Sequence, residues 1–134
     1  MYKISGNGVK RISDGTIIMD ETGNKDWQEY QVWLAAGNAP DPEFTIDELR
    51  GSRITETKRV AALKIDIVLP DWQVRRHHDQ CELGVATTLT AADYTARQQA
   101  CQEIRDASNT IEAEVQASSD PNSIDVVNHT AWPV

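Results

Sequence analysis

Residues 90–115 read TAADYTARQQACQEIRDASNTIEAEV, and their spacing decides the fold. Thr90 with Asp93 three residues on predicts a helix start, because a threonine hydroxyl there accepts a bond from a free backbone N–H of the first turn. From that start, Tyr94, Arg97, Cys101, Ile104, Ser108, Ile111 and Val115 recur at alternating steps of three and four, which places them on one face of a long helix. A stripe holding Arg and Ser is too polar for a self-sufficient coiled coil, so it needs a second helix to pack against.

That second helix lies upstream. Thr45 and Glu48 have capping-box spacing, and Ile46, Leu49, Arg53, Glu56, Val60, Leu63 and Ile67 form a heptad seam with apolar ends and a charged middle. Gly51 weakens it locally and Pro70 stops it. Between the two long helices a short one is predicted from Asp71 toward Leu83, ended by Gly84. Ser118 through Ser123 read as a polar loop, followed by a polar tail that carries Val126, Val127 and Trp132.

The N-terminal part has a different period. Tyr2–Ile4, Val9–Ile12 and Thr16–Met19 are short and rich in β-branched residues, separated by Gly6-Asn7-Gly8 and Ser13-Asp14-Gly15. So small an antiparallel sheet requires a covering helix. Asn24 caps one, with Trp27, Tyr30 and Leu34 on one face, Trp33 on its shoulder and Gly37 at its end. The expected organisation is a strand-rich unit with an aromatic helix (residues 1–38), a proline linker (39–44) and a helical body with a polar C-terminal tail (45–134). The fold class is α+β, mainly α.

Composition narrows the function. The chain has 134 residues and a formal net charge of −8. Six acids and one base from Gln102 onward account for −5 of that charge, while Lys58, Arg59, Lys64, Arg75 and Arg76 lie earlier. Such acidity argues against nucleic-acid binding, which needs clustered Lys and Arg, and disfavours anionic membranes. The acidic stretch reads as a solvated helix face, or as half of an end-to-end complementarity within one chain or between copies. No apolar run reaches membrane-spanning length, and the opening Met-Tyr-Lys-Ile-Ser has no apolar signal core, so a cytoplasmic site of synthesis and use is expected.

No catalytic pattern stands out. His77 and Cys81 are one helical turn apart, but only His78, Cys101 and His129 remain as nitrogen or sulfur donors, without Cys-x-x-Cys or a second His pair. No metal, no cofactor and no enzymatic activity are expected. A Cys81–His77 nucleophile pair has no marked orienting group or oxyanion hole. Cys81 and Cys101 read as buried thiols in a reducing compartment. Four tryptophans accompany one phenylalanine, and of these Trp27 and Trp72 are expected in the core. Trp33 and Trp132 are the candidate partner-binding residues, since tryptophan is enriched at interface hot spots. Trp132, close to the end of the sequence, is either docked on the body or offered to a partner.

Two blocks carry a resemblance: Gly8-Val9-Lys10-Arg11-Ile12-Ser13-Asp14-Gly15, and the more specific Asp26-Trp27-Gln28-Glu29-Tyr30-Gln31-Val32-Trp33-Leu34-Ala35-Ala36-Gly37-Asn38-Ala39-Pro40. With Trp72 and Arg75, Arg97-Gln98, Ile104-Arg105-Asp106 and Ala131-Trp132-Pro133, the chain resembles tail-fibre assembly proteins and related small tail proteins of bacteriophages. The layout is also similar to that of the Bacillus prophage tail protein family XkdW. Residues 45–68 match least. The resemblance implies a non-enzymatic protein that binds a phage tail or tail-fibre protein and aids fibre assembly in the bacterial host cytoplasm, as a chaperone would. The alternative it implies is a structural adaptor that stays in the virion tail. A homo-oligomer in the assembly is compatible with either.

Overall fold

The computed structural model describes residues 1–134 and divides into two compact units, Met1–Thr45 and Ile46–Val134. The first holds the sheet. Strands β1 (Tyr2–Ser5), β2 (Gly8–Arg11) and β3 (Ile17–Met19) are antiparallel in the order β1-β2-β3, with Val9 opposite both Ile4 and Ile18. Gly6, at φ +55°, takes the first central position of the two-residue β1–β2 turn, where a positive φ matches the twist of the strands. At the second turn Asp14 accepts from the Thr16 N–H at 3.1 Å and from the Arg11 guanidinium at 2.8 Å. Arg11 also donates to Asp26 at 3.0 Å, tying this hairpin to the following helix.

That helix, α1 (Lys25–Ala35), is capped by Asn24, whose side chain accepts from the Asp26 N–H at 3.0 Å. Tyr30 is buried with Tyr2, Val9 and Ile18. Trp27, expected in the core, is only half-buried at its edge with Trp33 and Leu34, because Tyr30 occupies the position facing the sheet. Val32 points away at 71% exposure. Gly37 ends α1 at φ +93°, and the Asn38 side chain donates to the Trp33 carbonyl at 2.9 Å. Residues 39–44 are no free linker. Asp41 pairs alongside β1, donating to Tyr2 O and accepting from the Ile4 N–H, each at 2.9 Å, and Glu43 accepts from the Gly6 N–H at 3.0 Å. The unit therefore extends past residue 38.

The second unit is built on α2 (Ile46–Val68) packed against α4 (Ala91–Ala117), with α3 (Asp71–Glu82) between them in sequence and a 3₁₀ turn at Pro121–Ser123. The α4 stripe is as expected: Cys101, Ile104, Ser108, Ile111 and Val115 are buried, and Tyr94 and Arg97 half-buried. Its polar members are satisfied. Arg97 donates to Val68 O at 3.2 Å and to Gln73 Oε1 at 3.0 Å, and Ser108 donates to Glu112 at 3.0 Å.

The α2 seam differs from expectation. Leu63 is exposed and Ile67 is 81% exposed, while Ile54, Thr57, Val60, Ala61, Ile65 and Val68 face the core. A straight helix drifts about 20° per heptad against a strict seven-residue repeat, so the heptad reading slides off the packed face over three repeats. Thr57, fully buried, donates to its own helix at Arg53 O, 2.8 Å away. The C-terminal segment is no polar tail. Pro121 and Val126 are buried, Ile124 packs on the core, and the Arg50 guanidinium holds Ser118 O at 2.8 Å.

Helix α3 buries none of its residues fully. Gly84, at φ +67°, ends it in a Schellman motif: Gly84 N–H donates to Cys81 O at 3.2 Å and Val85 N–H to Gln80 O at 3.1 Å. Trp72 and Cys81, both expected inside, are exposed. The physical reason is that α3 meets the rest of its unit through partly buried polar and aromatic side chains: His77 stacked on Tyr94, Gln73 held by Arg97 and Gln80 paired with Thr88.

Candidate functional site

The nitrogen and sulfur donors fall into three separate places. His77 stacks on Tyr94, ring centroids 4.0 Å apart at 13°, with Nε2 3.7 Å from the Cys81 Sγ. Its Nδ1 is buried without a hydrogen-bond partner. Cys101 is buried on α4, and burial pushes its thiol above the usual range. His129 accepts from the Ala131 N–H at Nδ1, 3.1 Å away, so its Nε2 carries the proton that faces Glu114 at 2.9 Å. No three His, Cys, Asp or Glu residues converge as a metal ion would need.

The two tryptophans singled out for partner binding have different settings. Trp132 is closed inside the helical unit at 7% exposure, its indole N–H donating to Val126 O at 2.8 Å and Lys64 Nζ lying 5.5 Å from its ring centroid. It is docked on the body, not offered. Trp33 is half-buried, its ring 5.0 Å from Tyr2 and 6.1 Å from Tyr30, so one face belongs to the aromatic cluster.

Three surfaces that the sequence reading passed over are better placed for contact. The first is the open edge of the sheet. Arg11 N–H donates to Thr16 O at 2.9 Å, so the antiparallel alternation turns the Ile17 N–H and C=O outward. The opposite edge is covered by Asp41; this one is not. Ile17 and Met19 are exposed on the sheet face away from α1, and Ile12 is exposed beside the turn.

The second surface is the outer side of α3, where Trp72 lies under the Arg76 guanidinium at 5.1 Å, with Arg75 beside it and Leu83 76% exposed. The third is a groove of about 330 Å³ between α2 and α4, walled by Ile67, Val68, Ala100 and Pro133. Spacing alone identifies none of the three, because each depends on which apolar side chains the core leaves out.

No helix is long and apolar enough to cross a membrane. Compared with family models, curated proteins and solved structures, the chain matches none.

Proposed function

We propose that this chain is a non-enzymatic binding protein of the bacteriophage tail-assembly kind, which takes hold of a tail or tail-fibre protein through the open edge of its N-terminal sheet. The observation that carries this reading is β3. It offers outward-facing backbone groups at Ile17 and apolar side chains at Ile17 and Met19, with no helix or loop over them. An exposed edge strand is a template for a further strand: main-chain bonds supply affinity and alternate side chains supply specificity. The phage assignment is supported by the blocks Gly8–Gly15 and Asp26–Pro40, which build this sheet and its aromatic helix. Shielding an unpaired strand of an immature fibre is the role that fits such an edge, and release on fibre maturation follows from competition for the same backbone groups.

The test is co-expression with the tail-fibre protein of the same phage genome. The wild-type chain should raise the soluble yield of the fibre protein, and the Ile17→Lys/Met19→Lys double variant should lose that gain, since lysine on an edge blocks further pairing. Equal fibre yield with and without the chain would overturn the reading. Mass spectrometry of purified particles then separates the two forms of the role: absence marks an assembly factor, stoichiometric presence a virion adaptor.

A further inference from the structure

Helix α3 holds two metal-ligating side chains at close range. Cys81, which is exposed, and His77 are one helical turn apart, with Sγ 3.7 Å from Nε2. Zinc bonds to thiolate sulfur at about 2.3 Å and to imidazole nitrogen at about 2.0–2.1 Å, so at a tetrahedral angle the two donors stand about 3.6 Å apart. The pair therefore already has the spacing of two adjacent ligands on one zinc. The stack of His77 on Tyr94, centroids 4.0 Å apart, fixes the direction of Nε2 before any ion arrives. Ligation through Nε2 leaves the ring proton on Nδ1, the only buried side-chain polar atom without a protein partner. Metal-ligating histidines pass that proton's hydrogen bond to a carboxylate, a carbonyl or a water. A cavity of about 20 Å³ beside His77, lined also by Gln73, Gln80 and Thr88, has room for one water in that role.

A structural zinc takes four protein ligands, and one chain does not supply them. No third His, Cys, Asp or Glu converges on the pair, His78 included. Cys101 is buried on α4, and His129 is engaged by Ala131 and Glu114. We infer that His77 and Cys81 are half of a zinc site, and that two copies of the chain complete it as a Cys2His2 centre joining α3 to α3. A twofold axis through the ion makes the two pairs equivalent. Each Cys81 thiol gives its proton to solvent on binding, so two thiolates balance the charge of the ion and both imidazoles stay neutral. The metal–ligand bonds supply the attraction, so no match of apolar or charged surfaces is required. Helix α3 carries three acids (Asp71, Asp79, Glu82) and two bases (Arg75, Arg76), so little of the net charge of −8 opposes the approach there.

This inference does not rest on the fibre-binding reading, which concerns the other unit. Sedimentation velocity of the full-length chain, kept reduced with a phosphine, tests it with and without zinc chloride. Zinc should convert monomer to dimer, EDTA should reverse the change, and elemental analysis of the isolated dimer should find one zinc per two chains. Cobalt(II) in place of zinc should give the intense visible bands of a tetrahedral ion and a thiolate charge-transfer band. Cys81→Ser should lose that band and weaken zinc binding by more than the roughly 10–100-fold that follows from losing an outer hydrogen-bond partner of a ligand. Cys81 is exposed on a helix that buries none of its residues, so circular dichroism should show this variant folded. His77→Gln should also fail to dimerise with zinc, whereas His78→Gln should dimerise as wild type does. No zinc uptake, one zinc per chain without dimerisation, a dimer that survives EDTA, or a Cys81→Ser chain that binds as wild type does would each overturn the proposal. The Ile17→Lys/Met19→Lys variant should respond to zinc as wild type does, which keeps failure here distinct from failure of the β3 reading.

Discussion

Ile111 and Ile67 are the same residue type, each on a long helix of the same unit, and their settings are opposite: the first is fully buried, the second 81% exposed. Ile111→Ala removes a side chain from a closed core and should cost about 2–5 kcal/mol, whereas Ile67→Ala should stay within about 0.5 kcal/mol in the monomer. Urea melts of both variants at low protein concentration check this, and equal costs would mean that the packed face of α2 is not the one containing Thr57 and Ala61. Asp14 shows a charge effect at the same scale. The Arg11 guanidinium and the Thr16 N–H hold its carboxyl well below the usual carboxylate range. A folded-state value below the unfolded one means that the contribution is complete above about pH 4 and declines as pH falls through the unfolded value toward the folded one. Acid titration followed by the near-UV dichroism of the Tyr2–Tyr30–Trp33 cluster should show this loss, with Asp14→Asn lacking the benefit already at neutral pH. A wild-type signal flat down to about pH 2 would contradict it.

Among the elements, the sheet is the most constrained for its size. Gly8 stands opposite Met19, and a Cβ there would lie 2.3 Å from the Ile18 carbonyl oxygen. The obstacle is backbone, so no side-chain rotation relieves it. Gly8→Ala should push β3 away from β2 at a cost of about 1–3 kcal/mol, large for a three-stranded sheet covered by one helix. Loss of the aromatic near-UV signal with the helical far-UV signal largely retained is the expected result; an unchanged near-UV spectrum would show that the strands approach less closely than this. At α1 and α3 the stop signals lie in plain view, since Gly37 and Gly84 both take positive φ where the helices end. What those glycines do not announce is how tightly the helix before them packs. Helix α1 buries Tyr30 against a sheet, and α3 buries nothing fully, though both are short and carry a tryptophan.

The whole chain has two cores. Tyr2, Val9, Ile18 and Tyr30 make one, and Val60, Ala61, Ile104, Ala107, Ile111, Val115, Val126 and Trp132 the other. The second draws no side chain from the first 45 residues, so a fragment of residues 46–134 should fold by itself, with cooperative unfolding and Trp132 shielded from acrylamide quenching. Removing residues 118–134 from that fragment should destroy cooperativity, because Pro121, Val126 and Trp132 go with them; a truncated fragment that still melts sharply would make the segment an accessory. The sequence by itself determined the helix starts at Thr90 and Asn24, the strand and turn pattern through Gly15, the α4 stripe and the α+β class. All of these rest on interactions between residues a few positions apart, whose chemistry is the same wherever the chain later goes. Only the tertiary structure decided that Leu63 and Ile67 lie outside while Ile54 and Val68 lie inside, that Asp41 belongs to the sheet, that Trp132 is core and Trp72 surface, and that β3 is the open edge. The physical reason is that α2 carries apolar residues on two faces and the chain four tryptophans. Which of them is buried depends on the area of the partner surface that arrives, and that surface comes from residues tens of positions away.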